Sequence, residues 1–112
     1  MNNLDIVEQL EEIGQLPSEH DNEKEKFPLD EFDQLLQKFQ KPISYTIAQR
    51  LLELSPPCNS GSHGVEWSLL NVIESVGIEE LKKLLDKYQT ENEVSFILKI
   101  RLKNYLETHP NK

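Results

Sequence analysis

Cys58 and His63 are the residues of this chain whose chemistry is most easily imagined, because one loop holds a thiol and an imidazole five positions apart. Such a pair can act as nucleophile and base when a third group orients the base. No orienting residue and no oxyanion-binding motif accompanies them. With Glu66 they also make three possible metal ligands, but the spacing matches no established metal motif. Ser60-Gly61-Ser62-His63-Gly64 leads into a helix start, an intrinsic anion site, yet lacks the Gly-x-x-x-x-Gly-Lys pattern of a phosphate loop. Ordinary packing and capping account for all of these. The expectation is a protein that is not an enzyme, with no metal and no cofactor.

Carboxylates are the more informative groups. The chain carries a net charge of −8 over 112 residues, unevenly spread. Residues 1–33 hold eleven acids against Lys24 and Lys26, a charge of −9, whereas residues 34–112 hold ten bases and nine acids. Phosphates would be repelled, so nucleic acid is not expected as a partner. A basic protein would be drawn and steered by the same field; a plain solubilising surface is the alternative reading. None of the acids sits in an apolar setting that suggests acid–base work. Trp67, the only tryptophan, projects off the centre of its helix stripe. It serves either as edge packing or as an interface anchor.

The elements that position these groups follow from a helical period. Leu4, Val7, Leu10 and Ile13 mark a first amphipathic helix, capped by Asn2 or Asn3 and ended by Gly14 and Pro17. Residues 17–26 contain no apolar side chain and read as a mobile loop. Phe32, Leu35, Leu36 and Phe39 mark a second helix with Asp30 as its cap. Pro42 suits the first turn of a third, lined by Ile43, Ile47, Leu51 and Leu54. After the Pro56-to-Gly64 loop, Val65, Leu69, Val72, Ile73 and Val76 give the most apolar helix, expected at the centre, with Glu66 and Glu74 off its core stripe. Gly77 suits a left-handed C-terminal cap. Leu81, Leu84 and Leu85 mark a fifth helix, with a Glu79–Lys83 pair outside. Thr90 and Glu93 make a capping box for a sixth, striped by Val94, Ile97, Leu98, Leu102, Tyr105 and Leu106. The reading is a single all-α domain over residues 1–112, a bundle of about six helices whose second half is HEAT-like in its antiparallel hairpins.

One hundred and twelve residues suffice for one core. No secretory signal or membrane-length apolar run is evident, and one Cys fits a reducing compartment. A cytoplasmic location, away from membranes, is expected.

Glu66-Trp67-Ser68-Leu69-Leu70-Asn71-Val72-Ile73-Glu74, an E-W-x-L-L-x-x-I-E helix after a polar loop, resembles the central helix of small all-helical immunity proteins. These accompany bacterial polymorphic toxins, including contact-dependent growth inhibition systems. The motif covers about ten residues, and the helix order agrees from Pro42 to Leu106. The resemblance implies stoichiometric 1:1 binding, by a monomer, of a cognate and basic nuclease toxin whose active site or substrate surface is blocked. It implies contacts at Asp30, Glu31 and Asp33, at His63, and at Glu66, Trp67 and Glu74. The rival reading is an acidic regulatory or adaptor module whose groove receives a partner helix.

Overall fold

The computed structural model describes residues 2–17, 27–57, 64–88 and 91–108. Six α-helices and no strand occur among them: α1 (Asn3–Ile13), α2 (Leu29–Leu36), α3 (Tyr45–Leu52), α4 (Val65–Glu74), α5 (Ile78–Lys87) and α6 (Glu93–Thr108). The all-helical class read from the periodicity is the fold observed. The expected mobile loop lies, from residue 18 onward, outside the described residues.

Local chemistry sets most boundaries. Asn2 accepts the Asp5 N–H at 2.8 Å and Asp5 returns the contact to the Asn2 N–H, so α1 begins in a reciprocal cap. Gly14, at φ 105°, ends it. Two expected starts are corrected. α2 is preceded by Pro28, and Asp30 lies inside its first turn, where a carboxylate favours the helix dipole without bonding an orphan N–H. α3 begins at Tyr45, three residues after Pro42, because the Ser44 hydroxyl caps the Ile47 N–H. Gly77, at φ 102°, joins α4 to α5: its N–H reaches the Glu74 carbonyl and its carbonyl takes the Leu81 N–H.

The helices stack in two rows. α1, α3 and α5 pack in one, and α2, α4 and α6 in the other, with each odd helix against the even helix that follows it. Contacts with sequence separations near one repeat hold the first row in register. Asn3 bonds to Gln40, Arg50 to Glu11, and the Leu16 N–H to the Leu54 carbonyl, so α1 and α3 run parallel. The molecule measures 47 × 32 × 21 Å, and its least dimension is that of two helices, each about 10 Å across. Three hairpins stacked this way form a short α-solenoid. The hairpin architecture expected of the second half therefore extends through the first.

α4 touches α2, α3, α5 and α6, the central place its apolar sequence demanded. Ile6, Leu10, Phe32, Leu51, Leu52, Leu69, Ile73 and Leu98 are all essentially inaccessible, each worth about 1.5–3 kcal/mol of burial. A buried polar seam then ties α3 to α6. Asn92 accepts the Ser95 N–H at 2.9 Å, and its own N–H reaches Ser95 Oγ at 3.0 Å. The Asn92 amide also donates to the Leu52 carbonyl, while Ser55 Oγ takes the Val94 N–H at 2.8 Å. Asn92 and Ser95 thus supply the cap expected from Thr90 and Glu93, and Thr90 lies outside the described residues. On α5, Lys83 meets Glu80 at 3.6 Å, one residue from the expected Glu79.

Candidate partner-binding surface

The second row carries most of the residues singled out above. Asp30 and Glu31 are exposed on the first turn of α2. Asp33 is turned partly inward, and its Oδ1 is buried with no hydrogen-bond partner. On the neighbouring α4, Trp67 is 48 % exposed, so the indole is not core packing. Glu74, two turns later on the same face, is held by Arg101 of α6 through bonds of 2.6 and 3.1 Å. That bidentate clamp raises the Arg101 pKa further through its hydrogen bond to Glu74 and the attraction of the carboxylate.

Glu66 requires correction. It is only 8 % exposed, lying on the arc of α4 that also buries Leu70 and Ile73. At that position most of its surface is covered by the rest of the molecule and little of it faces solvent. Cys58 and His63 lie outside the described residues. Asp30, Glu31, Trp67 and Glu74 are therefore brought onto adjacent helices of one row, whereas Glu66 is not part of that surface.

Other features lie outside that surface. α1 exposes Asp5, Glu8 and Glu12 around a shallow depression of about 450 Å³, while Glu11 is engaged by Arg50. The Arg50 hydrogen bond holds the Glu11 carboxyl below its ordinary range. Between α5 and the second half of α6 a groove of about 370 Å³ is lined by Ile78, Leu81, Leu102 and Tyr105, with the Glu74–Arg101 pair at its edge. α6 also exposes Phe96 and Ile100, 43 % and 46 % accessible. They lie about half a turn from the buried Val94 and Leu98, which makes α6 apolar on two opposite faces; of the stripe expected for this helix, Tyr105 and Leu106 are themselves exposed.

Among the described residues no group of three or more His, Cys, Asp or Glu is placed to hold a metal ion, and no helix is long and apolar enough to cross a membrane. Among the described residues Tyr88 is the one group pushed far from its usual range, to about 12, by burial and then by the charge of Glu53. Its hydroxyl accepts the Asn92 amide at 2.8 Å, a structural setting. The fold and this surface define an all-helical, two-row protein with an acidic helix beside an exposed tryptophan. No protein family, curated protein or solved structure matches the chain.

Proposed function

We propose that this protein is a bacterial immunity protein that binds a cognate basic toxin and covers its active site or substrate surface. The observation that carries the proposal is the juxtaposition on one row: Asp30 and Glu31 stand open on α2, and Trp67 stands open on the adjacent α4. Carboxylates there would meet Lys and Arg side chains that otherwise hold nucleic-acid phosphates. An indole beside them supplies the desolvated anchor that concentrates binding energy at an interface. The protein's role in this reading is stoichiometric and not catalytic, and its site of action is the cytoplasm, as one copy per toxin.

Two steps test it. The tagged chain is purified from cells carrying its gene, and any bound protein is identified and expressed alone and together with it. A basic domain that stops growth alone and is silenced by co-expression supports the proposal. Binding is then measured for the parent and for Asp30→Lys/Glu31→Lys at low and high salt. The reversed protein should bind about tenfold or more weakly at low salt and lose much of its salt dependence. Equal affinity at low salt removes α2 from the interface and sinks the proposal as drawn.

One observation favours the adaptor reading: the groove formed by Ile78, Leu81, Leu102 and Tyr105 has the apolar lining that receives an amphipathic helix. In that case the partner is a regulator without toxicity, and Leu102→Asp, not the α2 reversal, abolishes binding.

A further inference from the structure

The outward face of α6 carries a pattern that the partner-binding surface does not use. Glu93, Phe96, Ile100 and Lys103 follow one another at spacings of three, four and three residues, which aligns them along one side of the helix. Val94, Ser95 and Leu98 face the core, and Phe96 and Ile100 stand on the opposite side, 43 % and 46 % exposed. Glu93 is half-buried and Lys103 exposed.

We propose that this face pairs with the same face of a second copy of the chain, α6 against α6 antiparallel about a two-fold axis. The argument is its self-complementarity. With the axis beside Leu98, Phe96 of one copy meets Ile100 of the other, and Glu93 meets Lys103, each contact occurring twice. The spacing is that of a coiled-coil seam, and an antiparallel seam sets alternate seam positions against each other in this way. Shifting the pairing by one turn toward the C-terminus puts Ile100 against Lys103 and Phe96 against Glu107, apolar groups against charges, so one register is selected. Isologous pairing closes at two copies. α4 stands between α2 and α6 in its row, so the acidic α2 surface remains open in the dimer.

A helix pair of this length buries well under the ~1,600 Å² of a standard interface, so the dimer is weak and concentration-dependent. Sedimentation equilibrium of the full chain should show mass rising from 13.1 kDa toward twice that value. Ile100→Glu should leave it monomeric throughout. Lys103→Glu should raise the dimer dissociation constant about tenfold or more, by setting like charges opposite each other. Glu93→Lys combined with Lys103→Glu restores both pairs with reversed sign and should return the constant to within about threefold of the parent. Since the double variant contains the substitution that weakens the single one, recovery excludes misfolding as the cause; thermal unfolding of each variant gives the same control for Ile100→Glu. A parent that stays at one copy up to about 1 mM, the weak end of specific association, overturns the proposal. So does a dimer indifferent to these substitutions, which would belong to the groove or to Trp67, or growth beyond two copies, which an isologous contact cannot produce.

Discussion

Replacing Asn92 by Ala tests whether the polar seam between α3 and α6 holds the third hairpin to the second. The side chain is 5 % exposed and makes three hydrogen bonds: from the Ser95 N–H at 2.9 Å, to the Leu52 carbonyl at 2.9 Å and to the Tyr88 hydroxyl at 2.8 Å. Losing the cap on α6 costs about 1 kcal/mol. Leaving a buried group without its donor costs about 1–3 kcal/mol, with the lower end appropriate here. The Leu52 carbonyl keeps a second, longer contact from the Ser55 N–H at 3.3 Å, and the half-exposed Tyr88 can turn to water. The sum is about 2–3 kcal/mol, a large fraction of a net stability of about 5–15 kcal/mol. For a chain of this size the melting temperature should fall by about 10–15 °C, read by far-UV circular dichroism. Asn92→Ser keeps an N-cap but is too short for Leu52, and should recover about 1 kcal/mol of the loss. An Asn92→Ala protein melting within about 2 °C of the parent would refute the claim that this seam joins the hairpins. A serine variant equal to the parent would assign the whole effect to the cap.

Two further predictions follow from single aromatic residues. Tyr88 is raised to about 12 by burial and by Glu53, so its neutral form is favoured in the folded state: stability contributed there is complete below the ordinary value of 10.0, and is lost as the pH rises through about 12. Alkaline absorbance titration of the folded protein should show a step near 12 that Tyr88→Phe removes; a step that persists in the variant would assign it elsewhere. Trp67, 48 % exposed and the only tryptophan, should emit at long wavelength, be quenched readily by acrylamide, and tolerate Trp67→Ala at a cost of about 1 kcal/mol or less. A blue-shifted, protected emission would place it in packing and withdraw it from the interface.

What could be read in the chain divides along a physical line. The apolar stripes are dictated by helical period and burial, and these are local enough to show in the residue string. Hence Val7, Leu10, Phe32, Leu51, Leu69, Ile73 and Leu98 all occupy the core, and α4 sits at its centre. Helix starts are decided by competition among nearby polar groups, which is where the reading slipped. In Thr90-Glu91-Asn92-Glu93-Val94-Ser95, both Thr90–Glu93 and Asn92–Ser95 have capping spacing. The carbonyl of Leu52, forty residues away, accepts the Asn92 amide and favours the second. Likewise Ser44 wins over Pro42 because a hydroxyl satisfies an orphan N–H and a proline ring does not. Glu66 is expected off the core stripe because a carboxylate is usually solvated, but its place on the arc beside Leu70 and Ile73 buries it.

The stacking of three hairpins escaped notice for a different reason. A solenoid requires that each hairpin offer an apolar face to its neighbour; it does not require the same residues at equivalent positions. Here a Glu–Arg pair recurs at both levels, Glu11–Arg50 and Glu74–Arg101, but the contacts around the α3–α4 connection differ in chemistry. Between the first and second hairpins the contact is the Gln15 amide on the Ser55 carbonyl. Between the second and third they are the Asn92–Leu52 and Val94–Ser55 bonds. Ser55 takes part in both sets, accepting Gln15 through its backbone and Val94 through its hydroxyl. A single residue thus links all three hairpins by hydrogen bonds, a serine that neither composition nor periodicity distinguishes from the others in its loop.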